Sequence, residues 1–292
     1  MQNLKGNFFP LLLIVFSFEI SGLLNKTLAK DGNPPAFLSD RGTGQPTSMF
    51  GTYINKGELI LYPFLEFYRD KDLEYKPAEL GYGLDLDYRG KYSATEGLVF
   101  IGYGFTDWLA LEFETAVIAA HLETSPQDKS GAPAEISEAG LGDVEGQIRV
   151  RWLYEDIAQP ELFSYFEAVA PVQTKKLLIA TSDWELKLGS GLVKGFSWGT
   201  VTLRIAGEYS VSESKFELGE YAVEYLKRLS PRWRLYLGVE GTQDELELIN
   251  EVQWQIQKFM AFKLNNALGL TSKATDWAPE IGMVFSLPVR NK

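Results

Sequence analysis

The feature that most constrains this chain is a recurring extended segment, mostly ten to fourteen residues long, in which apolar and polar side chains alternate. Successive side chains on a strand point to opposite faces, so alternation gives each segment one apolar and one polar face. The segments fall at 57–69, 92–105, 107–121, 141–154, 160–172, 181–195, 198–210, 217–229, 231–242, 244–257, 258–270 and 276–287, twelve in all. Helical periodicity is almost absent from residue 57 onward. Soluble strands cluster near five or six residues, whereas a tilted strand crossing a bilayer needs about nine to eleven. The length selects the second kind.

In GYGFTDWLALEFETAVIAA, residues 102–120, Leu109, Leu111, Phe113 and Val117 share one face, while Ala110, Glu112, Glu114 and Ala116 share the other. The same rhythm sets Val144, Ile148, Val150 and Trp152 against Glu145, Gln147, Arg149 and Arg151. It sets Leu186, Leu188 and Leu192 against Glu185 and Lys187, and Val201, Leu203 and Ile205 against Thr202, Arg204 and Glu208. In 244–256, Leu248, Val252 and Trp254 oppose Glu247, Glu251 and Gln253, with a slip expected near Ile249 and Asn250. One face meets lipid; the other meets a watery or internally paired bore, and a closed cylinder satisfies the backbone in hydrocarbon. The expected fold is an all-β, transmembrane, antiparallel up-and-down β-barrel of about 12 strands.

Connections alternate in length. Short ones fall near 105–107, 195–197, 229–231 and 257, and longer ones at 70–91, 122–140, 173–180 and 211–216. Outer-membrane barrels have short periplasmic turns and longer outer loops, and an even strand number returns both chain ends to the periplasm. Trp108, Trp152, Trp184, Trp198, Trp233 and Trp277 lie within three residues of a strand end, the placement of a membrane-interface girdle, and Trp254 sits a little deeper.

The N-terminus carries Lys5, an apolar run from Phe8 to Phe18 and small residues near Ala29, the layout of a signal peptide over 1–29, with a rival cleavage point near Gly22. Residues 30–56, rich in Gly, Pro, Ser and Thr, read as a periplasmic arm, and 57–292 as the barrel. The chain has no Cys and one His, which excludes thiol catalysis, disulfides and Cys-based metal sites. A net charge of −11, with no basic block, argues against nucleic acid as a partner.

YGFTDWLALEFETAV (103–117), GLGDVEGQIRVRW (140–152) and the Asp-Arg lead-in DRGTGQPTSMFGTYINKGELIL (40–61) resemble the outer-membrane barrel family labelled as transporters of the meta-pathway of phenol degradation. The resemblance covers the first half of the mature chain and the second half in rhythm alone. It implies a barrel of about twelve strands that passes small aromatic or hydrophobic compounds. The expected partners are outer-membrane lipid and lipopolysaccharide, a small-molecule solute, and the barrel-insertion machinery acting on the C-terminal strand. There Met283, Phe285 and Leu287 stand in for the usual terminal aromatic residue.

Catalysis would require a base, and His121 is the one histidine. The following LETSP does not match the His-x-Ser-Asn-Gly pattern of barrel lipases, so an interfacial or loop histidine is expected and no enzyme. Asp85, Asp87, Glu135, Glu138 and Asp143 lack the order of an EF-hand loop and read as a solvated surface. No cofactor or metal is implied, and GYGFTD is no dinucleotide fingerprint, since no helix follows. The functional candidates are the bore residues Glu112, Glu114, Glu145, Glu167, Glu185, Glu208, Glu247 and Glu251 against Arg149, Arg151, Lys187, Arg204, Arg234 and Lys263. Such a set either lines a cation-preferring pore or neutralises itself as ion-pair ladders that fill a small barrel. A non-transporting surface barrel whose outer loops bind a partner is the alternative function.

Overall fold

A computed structural model describes residues 54–211 and 214–289. They form twelve antiparallel strands closed into one barrel. In chain order these are β1 (Glu58–Tyr75), β2 (Tyr88–Gly104), β3 (Leu109–Glu123), β4 (Glu135–Leu153), β5 (Glu161–Ala170), β6 (Glu185–Phe196), β7 (Gly199–Ser210), β8 (Lys215–Arg228), β9 (Trp233–Gly241), β10 (Leu246–Gln257), β11 (Met260–Gly269) and β12 (Ala278–Pro288). Each pairs with its sequence neighbours, and β1 closes on β12 with Leu59 opposite Leu287 and Glu66 opposite Glu280. Closure leaves no sheet edge.

The dyad rhythm sets the two faces. On β3, Ala110 and Glu112 are 0% and 6% exposed, whereas Leu111 and Phe113 between and beyond them are 40% and 42% exposed. The outside is a belt of Leu, Val, Ile and Phe. Hairpin turns at the end where β1 starts are tied by side-chain oxygens: Thr106 Oγ1 accepts from Leu109 N at 2.9 Å, and Asp156 Oδ1 accepts from Ala158 N and Gln159 N at 2.7 and 2.8 Å. Such residues fold a turn by offering the backbone a local partner.

Two details depart from the sequence reading. The strands β1, β2 and β4 run past the expected ends at 69, 92 and 141, reaching Tyr75, Tyr88 and Glu135. The added rungs carry the pairs Arg89 Nη2 to Glu74 at 2.7 Å and Lys91 Nζ to Glu123 at 2.6 Å. They are polar on both faces, so no alternation marks them. In β10 the expected slip does not occur. Asn250 pairs with Leu237 and Asn266 in unbroken register, so Ile249 points inward and Asn250 outward. Here the chain keeps strand parity and reverses the polarity.

The half of the bore nearest the short turns is packed. Ile54, Ile60, Tyr62, Phe64, Leu98, Phe100, Ala110 and Val284 belong to one cluster, and Phe163, Tyr165, Val193 and Ala206 form another. Gly189 and Gly191 make room for the rings of β5: a Cβ there would lie 2.2 Å from Tyr165 Cζ and 2.4 Å from Phe163 Cζ. Of the expected arm, residues 54–56 are described. Ile54 is buried inside the barrel beside Gly102, and Lys56 forms a parallel bridge to Gly104 before the chain reverses at Gly57, φ +70°. The expected signal peptide over 1–29 and the expected arm up to residue 53 lie outside the described residues.

Candidate functional site

Strand parity carries every proposed bore residue inward, and the structure sorts them into two storeys. In the lower one, toward the short turns, charges are matched. Arg149, 1% exposed, sets Nε 3.5 Å from Glu112 Oε1 and its guanidinium 5.0 Å from the centre of the Phe163 ring, while Gln147 Nε2 donates to Glu112 Oε2 at 2.6 Å. Arg204 is clasped by three carboxylates: Glu224 at 2.8 Å, Glu240 at 2.9 Å and Glu220. Arg151 lies 3.3 Å from Glu161, and nearer the long-loop end of β6 Lys187 Nζ donates to Glu167 at 2.8 Å. Arg234, buried, donates to Gln255 Oε1 at 3.3 Å. A buried charge is tolerated when paired and hydrogen-bonded.

Above this floor lies a chamber of about 270 Å³ lined by Phe64, Glu66, Tyr68, Glu96, Leu98, Glu114, Tyr236, Glu240, Glu247, Ile249, Glu251, Lys263, Asn265, Ala267 and Glu280. Seven carboxylates thus line it with one ammonium, and one of the seven, Glu240, is also held by Arg204. Lys263 Nζ is 2.7 Å from Glu251 and 4.8 Å from the centre of the Tyr62 ring, and Tyr62 donates its hydroxyl to Glu280. Glu66, Glu96, Glu114 and Glu247 form no ion pair with Lys or Arg among the described residues. Of the chamber residues, the sequence alternation assigns Glu114, Glu247, Glu251 and Lys263 to the bore and passes over Glu66, Glu96, Glu240 and Glu280. For Glu280 a signal existed: with Met283, Phe285 and Leu287 outward, parity turns residue 280 inward. For Glu66 none did, because Leu61, Pro63, Leu65 and Phe67 alternate with Tyr62 and Phe64, so both faces read as apolar.

Toward the long loops the bore widens into a vestibule of about 560 Å³, bordered by Glu74, Glu79, Glu185, Glu208, Glu217, Asp244 and Glu245 against Lys76 and Lys273. Glu145 stands lower, in a narrow gap with Glu112, Glu114 and Glu167. From vestibule to floor the lining is acidic.

The tryptophans fall in two rows. Trp108, Trp152, Trp198 and Trp233 mark the short-turn end, and Trp184 and Trp277 the opposite end. Trp254 belongs to the lower row: its ring stacks on Trp233 with centroids 5.8 Å apart. His121 faces outward on β3, its Nδ1 2.8 Å from the Ser137 hydroxyl on β4, its single hydrogen bond among the described residues. Among the described residues no His, Asp and Glu group is arranged to hold a metal ion.

No protein-family model matches the sequence, and no curated protein matches it. In fold, the chain is similar to the COG4313 outer-membrane channel of Pseudomonas putida F1, at TM-score 0.59 and 14% identity over 80% of this chain and 97% of that one. The KdgM porin in complex with disordered oligogalacturonate aligns at TM-score 0.49 and 7% identity over 78% and 99% of the two chains. The toluene transporter TbuX of Ralstonia pickettii aligns at TM-score 0.42 and 9% identity over 81% and 90%. The molecule is a closed twelve-stranded antiparallel β-barrel of the outer-membrane type, similar in architecture to the COG4313 channel.

Proposed function

We propose that the barrel sits in a bacterial outer membrane and passes a small solute passively, with a preference for positively charged solutes. The observation that carries this is the chamber, where six carboxylates besides the Arg204-bound Glu240 share one ammonium, with a second acidic cavity nearer the long loops. Fixed charges of one sign in a narrow, low-dielectric bore concentrate counter-ions and set selectivity. Phe64, Tyr68 and Tyr236 add ring faces to the same chamber, so a small aromatic or alkyl ammonium meets both a carboxylate and an aromatic surface. That reading keeps the aromatic character implied by the phenol-pathway resemblance and adds charge to it.

The packed floor of Tyr62, Phe64, Phe100, Phe163 and Tyr165 favours one rival, a non-transporting barrel whose outer loops bind a partner. Planar-bilayer conductance and liposome swelling separate the two. A channel gives discrete steps with a cation-positive selectivity and swelling with small amines. Silence in both assays removes the transport reading.

A further inference from the structure

Several polar groups on the outer face are bonded within their own sheet. Thr115 donates to the Asp143 carbonyl at 3.1 Å, and the Ser164 and Ser190 hydroxyls lie 2.6 Å apart. Asn250 and Asn266 differ. They stand directly opposite each other on β10 and β11 and both face outward. Asn250 Nδ2 donates to the Asn266 backbone carbonyl at 3.1 Å; among the described residues, the Asn250 Oδ1 and the Asn266 side-chain amide take part in no hydrogen bond.

Their surroundings are hydrocarbon-like. Leu248 and Val252 flank Asn250 along β10, Leu264 and Leu268 flank Asn266 along β11, Leu237 lies opposite Asn250 on β9, and Pro279 lies opposite Asn266 on β12. Leu237 and Leu264 are 51% and 50% exposed, so the patch is open to whatever surrounds the barrel. Lipid chains offer an amide no donor or acceptor, and polar side chains in that setting serve to join one membrane element to another.

We propose that the β9–β12 face docks against a second copy of this chain, the Asn250–Asn266 couple of one barrel hydrogen-bonding the same couple of the other. Depth decides between occupants. Barrels inserted with the same polarity meet across a two-fold axis along the membrane normal, and such an axis brings every residue opposite its own level. A second copy therefore presents an amide at the matching height without any further provision. The side chain is also self-complementary, since each amide carries both donors and an acceptor, and a two-fold interface pairs a patch with itself. The inference depends on the membrane placement and not on conduction.

The chain lacks cysteine, which makes directed cross-linking clean. Leu264→Cys, beside Asn266, and Ile148→Cys, across the barrel on β4, are reconstituted separately into liposomes at low protein-to-lipid ratio and treated with a short bis-maleimide. Leu264→Cys is expected to give covalent dimer at least fivefold above Ile148→Cys. Adding Asn250→Leu and Asn266→Leu to Leu264→Cys is expected to cut that yield at least fivefold, while heat-modifiable gel mobility shows the barrel still folded. Equal yields from the two cysteine positions, or a yield that the paired leucine substitutions leave unchanged, overturn the proposal.

Discussion

Arg204 Nε donates to Glu224 Oε1 at 2.8 Å, and the two side chains expose 0% and 2% of their surfaces. With Glu220 and Glu240 on the remaining nitrogens, one guanidinium answers three carboxylates on β8 and β9. Its planar fork of five N–H donors suits this, and an ammonium would not reach all three.

Removing that cation strands the carboxylates in the packed bore. Arg204→Gln is expected to lower barrel stability by about 3–5 kcal/mol, the usual cost of breaking a buried pair from one side. Arg204→Lys should recover a minority of it. Urea midpoints of the heat-modifiable band in detergent give the measurement.

The charge of the chamber predicts how selectivity responds to substitution. Glu114→Gln together with Glu247→Gln should move the reversal potential in a salt gradient toward zero, and Lys263→Gln should move it the other way. Both sets line the chamber, so opposite signs from neighbouring sites exclude a general loosening of the wall.

The floor should behave as a constriction. Replacing Tyr165 and Phe163 by Ala is expected to raise single-channel conductance several-fold, at a stability cost of about 3–5 kcal/mol per ring. Unchanged conductance would place the resistance elsewhere.

On the outer face, a charge near mid-height is the informative substitution. Ile205, 59% exposed on β7 among Leu203, Val223 and Tyr221, should lose about 2–4 kcal/mol on replacement by Arg, since lipid-facing Arg at the midplane costs that much. Lys227→Arg, beside the Trp198 carbonyl at the short-turn end, should be neutral. Folding titrations into liposomes compare them.

The loops supply the pH-dependent contact. Lys273 Nζ donates to Asp244 at 2.8 Å, which holds the Asp244 carboxyl below its ordinary range and lifts the Lys273 ammonium above its own. A depressed native value means that this tie between loops is present above the ordinary aspartate range, near about 3.9, and fades as pH falls through the lower native value. Carbon-13 titration of Asp244 should show a midpoint below that range, and Lys273→Gln should return it there.

Much of this architecture was legible in the chain because a barrel wall repeats one rule. Leu109 through Val117 announce which side of β3 meets lipid, and the same count turns Glu112 and Glu114 inward. What escaped the count were places where polarity and parity part company. Ile249 points inward and Asn250 outward, against their chemistry, and a continuous register stands where a slip is expected. Glu66 hid in a run that is apolar on both sides, because the floor it borders is itself packed with Tyr62 and Phe64. Pairing partners were out of reach for a different reason: Arg204 meets Glu240 across two strand crossings, and local rhythm holds no information on that distance.

The wall is uneven in height. On the side of β1 to β4 the strands have 18, 17, 15 and 19 residues, whereas β9, β11 and β12 have 9, 10 and 11. The long strands are confined to one arc, and the wall drops to 10 residues at β5 and stays between 9 and 14 round to β12, like a collar raised on one side. The raised arc carries Glu74 to the rim of the acidic vestibule, while Glu185, Glu208 and Glu217 reach it from the shorter strands, so that cavity is walled higher on one flank than on the other.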